Sequence, residues 1–261
     1  MRFYFLTALV CFVSLSCSLA ENKTVAPEQT KKKPLRYETV PLGGSQKVKV
    51  LMIGDSLSVG PFGSSMQNWL IQKYGDNNVA IYASCGSSPE HWLAENAVFT
   101  SKCGYREKRP GKLIYENRDG GSPTRVRPAP KIEKLIALHR PDAIIVQMGT
   151  NHFDVLEKNG DKAIPQLAAT YEFFSQALKP SLFRKPSVYW VTPPDSSRFS
   201  DKIERTVDQL IATNNKKHGF HTFYSRKYTR YTKGQTGSDG VHYGNAAGAA
   251  WALEFQRQTT R

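Results

Sequence analysis

Four short polar clusters in this 261-residue chain hold residue types that together suit nucleophilic catalysis. Gly54-Asp55-Ser56-Leu57-Ser58 carries a serine, and Ser84-Cys85-Gly86-Ser87-Ser88 a glycine among small residues. Gly149-Thr150-Asn151-His152 carries an amide and an imidazole, and Asp239-Gly240-Val241-His242 a carboxylate three residues before a histidine. A serine hydroxyl is a weak nucleophile until an adjacent base takes its proton, and the base needs a partner that fixes its tautomer. Ser56, His242 and Asp239 can fill those three roles. A tetrahedral intermediate then needs donors aimed at its oxygen, which the Ser56 and Gly86 N–H groups and the Asn151 amide can supply. Glycine suits that task because its N–H approaches a substrate with no Cβ in the way. Asp55 and His152 are candidate pocket residues beside them.

Taken singly, each residue has an ordinary use. Ser56 or Asn151 can cap a helix, Asp239-Gly240 can form a turn, and Gly86 can serve a tight turn beside Cys85. Position makes the set more than its parts. Apolar, β-rich runs at 48–53, 79–82, 143–148, 188–191 and 220–224 alternate with helical patterns near 63–74, 129–139, 163–179, 201–217 and 244–257. That alternation predicts an α/β fold, a three-layer α/β/α sandwich around a mostly parallel, five-stranded, flavodoxin-like sheet. Sites of such sheets lie outside the carboxyl ends of the strands. Three clusters directly follow the first three runs and the fourth lies past the last. Residues 84–128 lack a regular pattern and are expected to form a long irregular crossover.

These clusters resemble the SGNH (GDSL-type) hydrolases over about residues 48–257. Gly54-Asp55-Ser56-Leu57-Ser58 matches the block holding the nucleophilic serine, Gly86 the second-block glycine, Gly149-x-Asn151 the third block, and Asp239-x-x-His242 the block that completes the triad. The resemblance implies a serine esterase with Ser56, Asp239 and His242 catalytic and Ser56, Gly86 and Asn151 as oxyanion donors. His152 stands where the family commonly has aspartate, which bears on substrate preference. The chain lacks the G-x-S-x-G elbow of the α/β-hydrolases.

The chain begins with Met1-Arg2, an apolar run to about Val13 and a small-residue stretch ending Ser18-Leu19-Ala20, the pattern of a secretory signal peptide cleaved near Ala20. The apolar run is shorter than the roughly 20 residues of a membrane span, so no span is expected in the mature chain. Lipoprotein processing at Cys17 ranks below plain secretion. The expected organisation is a signal peptide over 1–20, a flexible linker over 21–46 and a hydrolase domain over 47–261, placed in the periplasm or outside the cell. Cys85 and Cys103 remain as an even pair in an oxidising compartment, which favours a disulfide. Two cysteines without a CxxC or neighbouring histidine do not make a zinc site, and no metal or cofactor is expected.

With 36 Lys+Arg against 22 Asp+Glu the formal net charge is +14. Removing residues 1–20 deletes one arginine and no acid, leaving 35 minus 22, or +13. Ten Lys/Arg against four Asp/Glu lie between Lys102 and Lys134, and 225–233 (SRKYTRYTK) is basic and aromatic. These stretches suit an acylated glycan or another anionic polymer, with a solvated basic face as the plain alternative. The expected activity is hydrolysis of O-acetyl esters on a polysaccharide, peptidoglycan being one candidate. The alternatives are an O-acyltransferase with the same triad, a lysophospholipase or lipase, and, last, a non-catalytic polyanion-binding module. Nucleic acid is not an expected partner.

Overall fold

The computed structural model describes residues 48–101, 103–117, 127–179 and 185–260, all within one unit, Glu38–Arg261. The proposed signal peptide, its Cys17 and the linker lie outside the described residues.

Five parallel strands carry the fold: β1 (Val50–Gly54), β2 (Val79–Ser84), β7 (Ala143–Gln147), β8 (Ser187–Val191) and β9 (His221–Phe223), in the order β2-β1-β7-β8-β9. This is the expected flavodoxin-like order, with β1 at the point where the winding reverses. Alternate residues of β1 feed opposite cores. Leu51 and Ile53 pack with Ile144, Val146 and Trp190, while Val50 and Met52 pack with Ile145, Tyr189 and Val191. A strand buried on both faces is therefore a continuous apolar run. The first core is covered by α3 (Ile132–His139), α4 (Asn151–Asn159), α5 (Ile164–Ala177) and α6 (Asp201–His218). The second is covered by α1 (Ser56–Val59), α2 (Pro61–Tyr74) and α7 (Asn245–Thr259).

The sheet has seven strands rather than the expected five. Within the stretch expected to be irregular, β4 (Gly104–Arg109) and β5 (Lys112–Asn117) form a hairpin whose first strand pairs antiparallel with β2. Two short strands, β3 (Thr100–Ser101) and β6 (Arg127–Pro128), pair separately. The hairpin escapes an apolar-run search because its inward positions are charged. Arg106 and Lys108 are 3% exposed, their cationic ends satisfied by carbonyls of distant segments. The Pro110-Gly111 pair between the strands is the local sign of the turn.

Candidate active site

β1 ends at Gly54, and Asp55 turns the chain into α1. Its N–H donates to the Gln147 carbonyl (3.1 Å), and its carboxylate accepts the Leu57 N–H (3.0 Å), capping the helix. Ser56 is thereby the first residue of α1, where its own N–H has no helical acceptor. Two residues on, Ser58 Oγ donates to Gln147 Oε1 (2.7 Å) and ties α1 to β7. Asp55 is fully buried beneath the serine. Burial pushes its carboxyl up to about 6, against the Leu57 N–H, nearby His242 and the side chains of Gln147 and Thr150. Asp55 is therefore a cap and support rather than a pocket wall.

The last block places a histidine and a carboxylate beside that serine. Asp239 Oδ1 accepts the N–H groups of Val241 (2.9 Å) and His242 (2.8 Å), while its Oδ2 meets His242 Nδ1 at 2.5 Å. His242 Nε2 lies 2.9 Å from Ser56 Oγ. The structure thus brings together residues 186 positions apart. Partial burial works to raise the Asp239 carboxyl. The hydrogen bonds from His242 and the two N–H groups outweigh it and bring the carboxyl down to about 2, so it is ionised across the physiological range. With Nδ1–H donated to that anion, Nε2 faces the serine hydroxyl as an acceptor. Asp239 and His242 side chains are both 50% exposed, so the site is open to solvent.

The loop that holds them is braced by a residue the sequence reading missed. Tyr231 is buried; its hydroxyl accepts the Gly240 N–H (3.0 Å) and donates to the His242 carbonyl (3.3 Å). The Gly240 carbonyl accepts from Ser196 Oγ (2.8 Å) and the Ser197 N–H (3.0 Å).

Gly86 follows β2 with a φ of +81°, a left-handed conformation that favours glycine. The Cys85–Cys103 disulfide, with Cα atoms 5.5 Å apart, joins this turn to the start of the hairpin. Asn151 opens α4, and its side-chain amide donates to the Ser87 carbonyl (2.8 Å), one residue past Gly86. Asn151 and the Gly86 turn are therefore adjacent. Neither Gly86 nor Asn151 lines the groove of about 730 Å³ in which Ser56, Asp239 and His242 are found; Cys85, Cys103 and Tyr115 do.

His152 is not a pocket residue. It is fully buried, with Nδ1 2.8 Å from the Tyr171 hydroxyl and Nε2 3.2 Å from Glu90 Oε2. The imidazole turns into the core because Tyr171 and Glu90 satisfy both its nitrogens there.

The basic stretches are also more inward than their composition suggests. Arg226 carries ion pairs to Glu204 (2.7 Å), Asp201, Asp208 (3.7 Å) and Asp195 (4.0 Å), with 16% of its side chain exposed. Burial pushes Glu204 up to about 7 despite that arginine. In the other stretch Arg106 and Lys108 are buried, Arg109 and Lys112 pair with Glu107, and Arg127 pairs with Glu116. Lys102, Arg118 and Arg125 lie outside the described residues. Among the described residues no group of three or more His, Cys, Asp or Glu suits a metal ion, and no helix is long and apolar enough to cross a membrane.

No family model and no curated protein sequence matches the chain significantly. Solved structures do. A carbohydrate acetylesterase family member from Sinorhizobium meliloti is 14% identical with a TM-score of 0.51, over 80% of this chain and 96% of that one. The acetylxylan esterase Axe2 from Geobacillus stearothermophilus is 15% identical with a TM-score of 0.54, over 86% and 97%. A structure of TesA is 14% identical with a TM-score of 0.54, over 80% and 97%. At these identities the likeness is one of architecture: the chain shares the α/β fold of these three structures.

Proposed function

We propose that the protein is an exported serine esterase that removes acyl groups, acetyl above all, from an esterified polysaccharide. The observation that carries the reading is the chain of contacts Ser56 Oγ–His242 Nε2 (2.9 Å) and His242 Nδ1–Asp239 Oδ2 (2.5 Å) at the carboxyl ends of the strands. A fold shared with acetylesterases supports it.

In the first half-reaction Ser56 Oγ bonds to the ester carbonyl carbon while its proton passes to His242 Nε2, and the carbonyl electron pair moves onto oxygen. The N–H groups of Ser56 and Gly86 and the Asn151 amide are the proposed donors to that oxygen. The tetrahedral carbon then expels the sugar oxygen, which takes the proton from Nε2, leaving an acyl-Ser56. Water repeats the sequence: its proton goes to Nε2, its oxygen bonds to the acyl carbon, and Ser56 leaves with the proton as the acid departs. Asp239 stays ionised throughout and holds the imidazole that carries the charge.

Half-exposed Asp239 and His242 give water ready access, which supports hydrolysis over transfer to a second sugar. The Cys85–Cys103 disulfide supports an oxidising compartment and so export after cleavage near Ala20. A fluorophosphonate probe tests the nucleophile: peptide mass spectrometry should find the adduct on Ser56. Ester turnover that survives saturating probe with no adduct there contradicts the assignment.

A further inference from the structure

The β4–β5 hairpin reaches the serine helix through one buried side chain. Arg106 Nε donates to the Ser58 carbonyl (3.2 Å), and its Nη2 to the Val59 carbonyl and Ser64 Oγ (both 2.7 Å). Its Nη1 donates to Gln67 Oε1 (3.0 Å). Charge-assisted bonds from a rigid fork fix its position. Directly across the hairpin from Arg106 stands Tyr115, with the guanidinium carbon 4.6 Å from the ring centroid. Tyr115 is 47% exposed, yet it lines the groove that holds Ser56 and His242. A half-exposed aromatic ring on an edge strand, braced from behind by a locked cation, is an arrangement made for contact.

We propose that Tyr115 is a specificity-determining residue, a stacking platform for a sugar ring of the substrate beside the ester. This inference rests on the esterase reading above and narrows it to the carbohydrate part. A pyranose presents C–H bonds of slight positive polarity on a flat face, which suits the negative face of an aromatic ring. The Arg106 contact reduces what the ring has left to lose on binding, so little ordering opposes the stack. Ser238 and Asn245, in the same groove, offer groups for sugar hydroxyls. Among the described residues, Arg106, Lys108, Arg127 and Arg226 are held by carbonyls or carboxylates of the chain itself, so the half-exposed ring is the group in the groove that is freer to meet a sugar.

The test compares kcat/KM on O-acetylated xylo- or chito-oligosaccharides with kcat/KM on p-nitrophenyl acetate, using the full chain. Tyr115→Ala should lower that ratio at least tenfold, through KM on the glycan. Tyr115→Trp and Tyr115→Phe should keep it within about threefold of wild type. Leu113→Ala, exposed two residues away on the same strand face and outside the groove, should leave it within twofold. A Tyr115→Ala ratio within twofold of wild type overturns the proposal. So does a loss that falls instead on p-nitrophenyl decanoate, or turnover of the small ester with none on either glycan. If the protein turns over no ester at all, the esterase reading fails, and titration with xylohexaose decides the platform separately. Binding by wild type but not Tyr115→Ala supports it, and equal or absent binding overturns it.

Discussion

The backbone of Gly237 packs so closely on the Asp239–His242 loop that a Cβ there would lie 1.9 Å from the carbonyl oxygen of His242 and 2.4 Å from the Tyr231 hydroxyl. The first of these is backbone and cannot swing away. Gly237→Ala must therefore displace His242 or the hydroxyl that braces it. A shift of about 1 Å in a catalytic group can cost around a hundredfold in rate. The expected result is a fall in kcat on p-nitrophenyl acetate of at least tenfold, with KM little changed and a loss of stability of about 1–3 kcal/mol. Wild-type kcat in this variant would show that the packing does not set the base.

Asp55 gives the protein a stability that depends on pH. Its carboxyl is raised to about 6, chiefly by burial, whereas an unfolded aspartate titrates near 4. The folded state therefore binds that proton more tightly. The contribution is full below about pH 4 and is lost as pH rises through about 6. The span corresponds to at most about 3 kcal/mol. Asp55→Asn keeps an oxygen to accept the Leu57 N–H but never ionises. Its Tm relative to wild type should rise by about 5 °C or more between pH 4 and pH 7. A constant difference across that range would show that the carboxyl is not the titrating group.

The disulfide should matter for rate as well as stability. Closing a loop between residues 18 apart is worth roughly 3 kcal/mol. Cys85 adjoins Gly86, the proposed oxyanion donor, and both cysteines line the groove. Replacing the pair by serine should lower Tm and also reduce kcat/KM on p-nitrophenyl acetate at least fivefold. A lower Tm with an unchanged rate would separate the disulfide from the site.

What the sequence disclosed and what it hid follow from the range of the interactions. The inner parallel strands were legible because a strand buried on both faces is apolar throughout, as Val50–Gly54 is, whereas the edge strand His221–Phe223 is only partly buried. The grouping of Ser56, Asp239 and His242, proposed as a triad, was legible because each follows or lies past a strand, where this fold gathers its loops. The β4–β5 hairpin was not, because buried Arg106 and Lys108 are satisfied by carbonyls 29 to 48 residues away. Nothing local announces such partners. His152 was misread for the same reason: Tyr171 and Glu90, 19 and 62 residues distant, draw it into the core. Tyr231 was read only as part of a basic, aromatic stretch, suited to a polymer or simply solvated, whereas its hydroxyl braces the Asp239–His242 loop. The charge of +14 counted side chains without showing that Arg226 is surrounded by four carboxylates.

In the proposed reaction Ser56 attacks the ester with His242 as its base. Ser56→Ala removes one oxygen from a partly exposed helix start and leaves the Asp55 cap in place, so the fold should persist with circular dichroism unchanged. Steady-state hydrolysis of p-nitrophenyl acetate by this variant is the direct measurement. The expected result is a fall in kcat of roughly a thousandfold or more, as when a triad nucleophile is removed. A folded Ser56→Ala protein that hydrolyses the ester at the wild-type rate would contradict it.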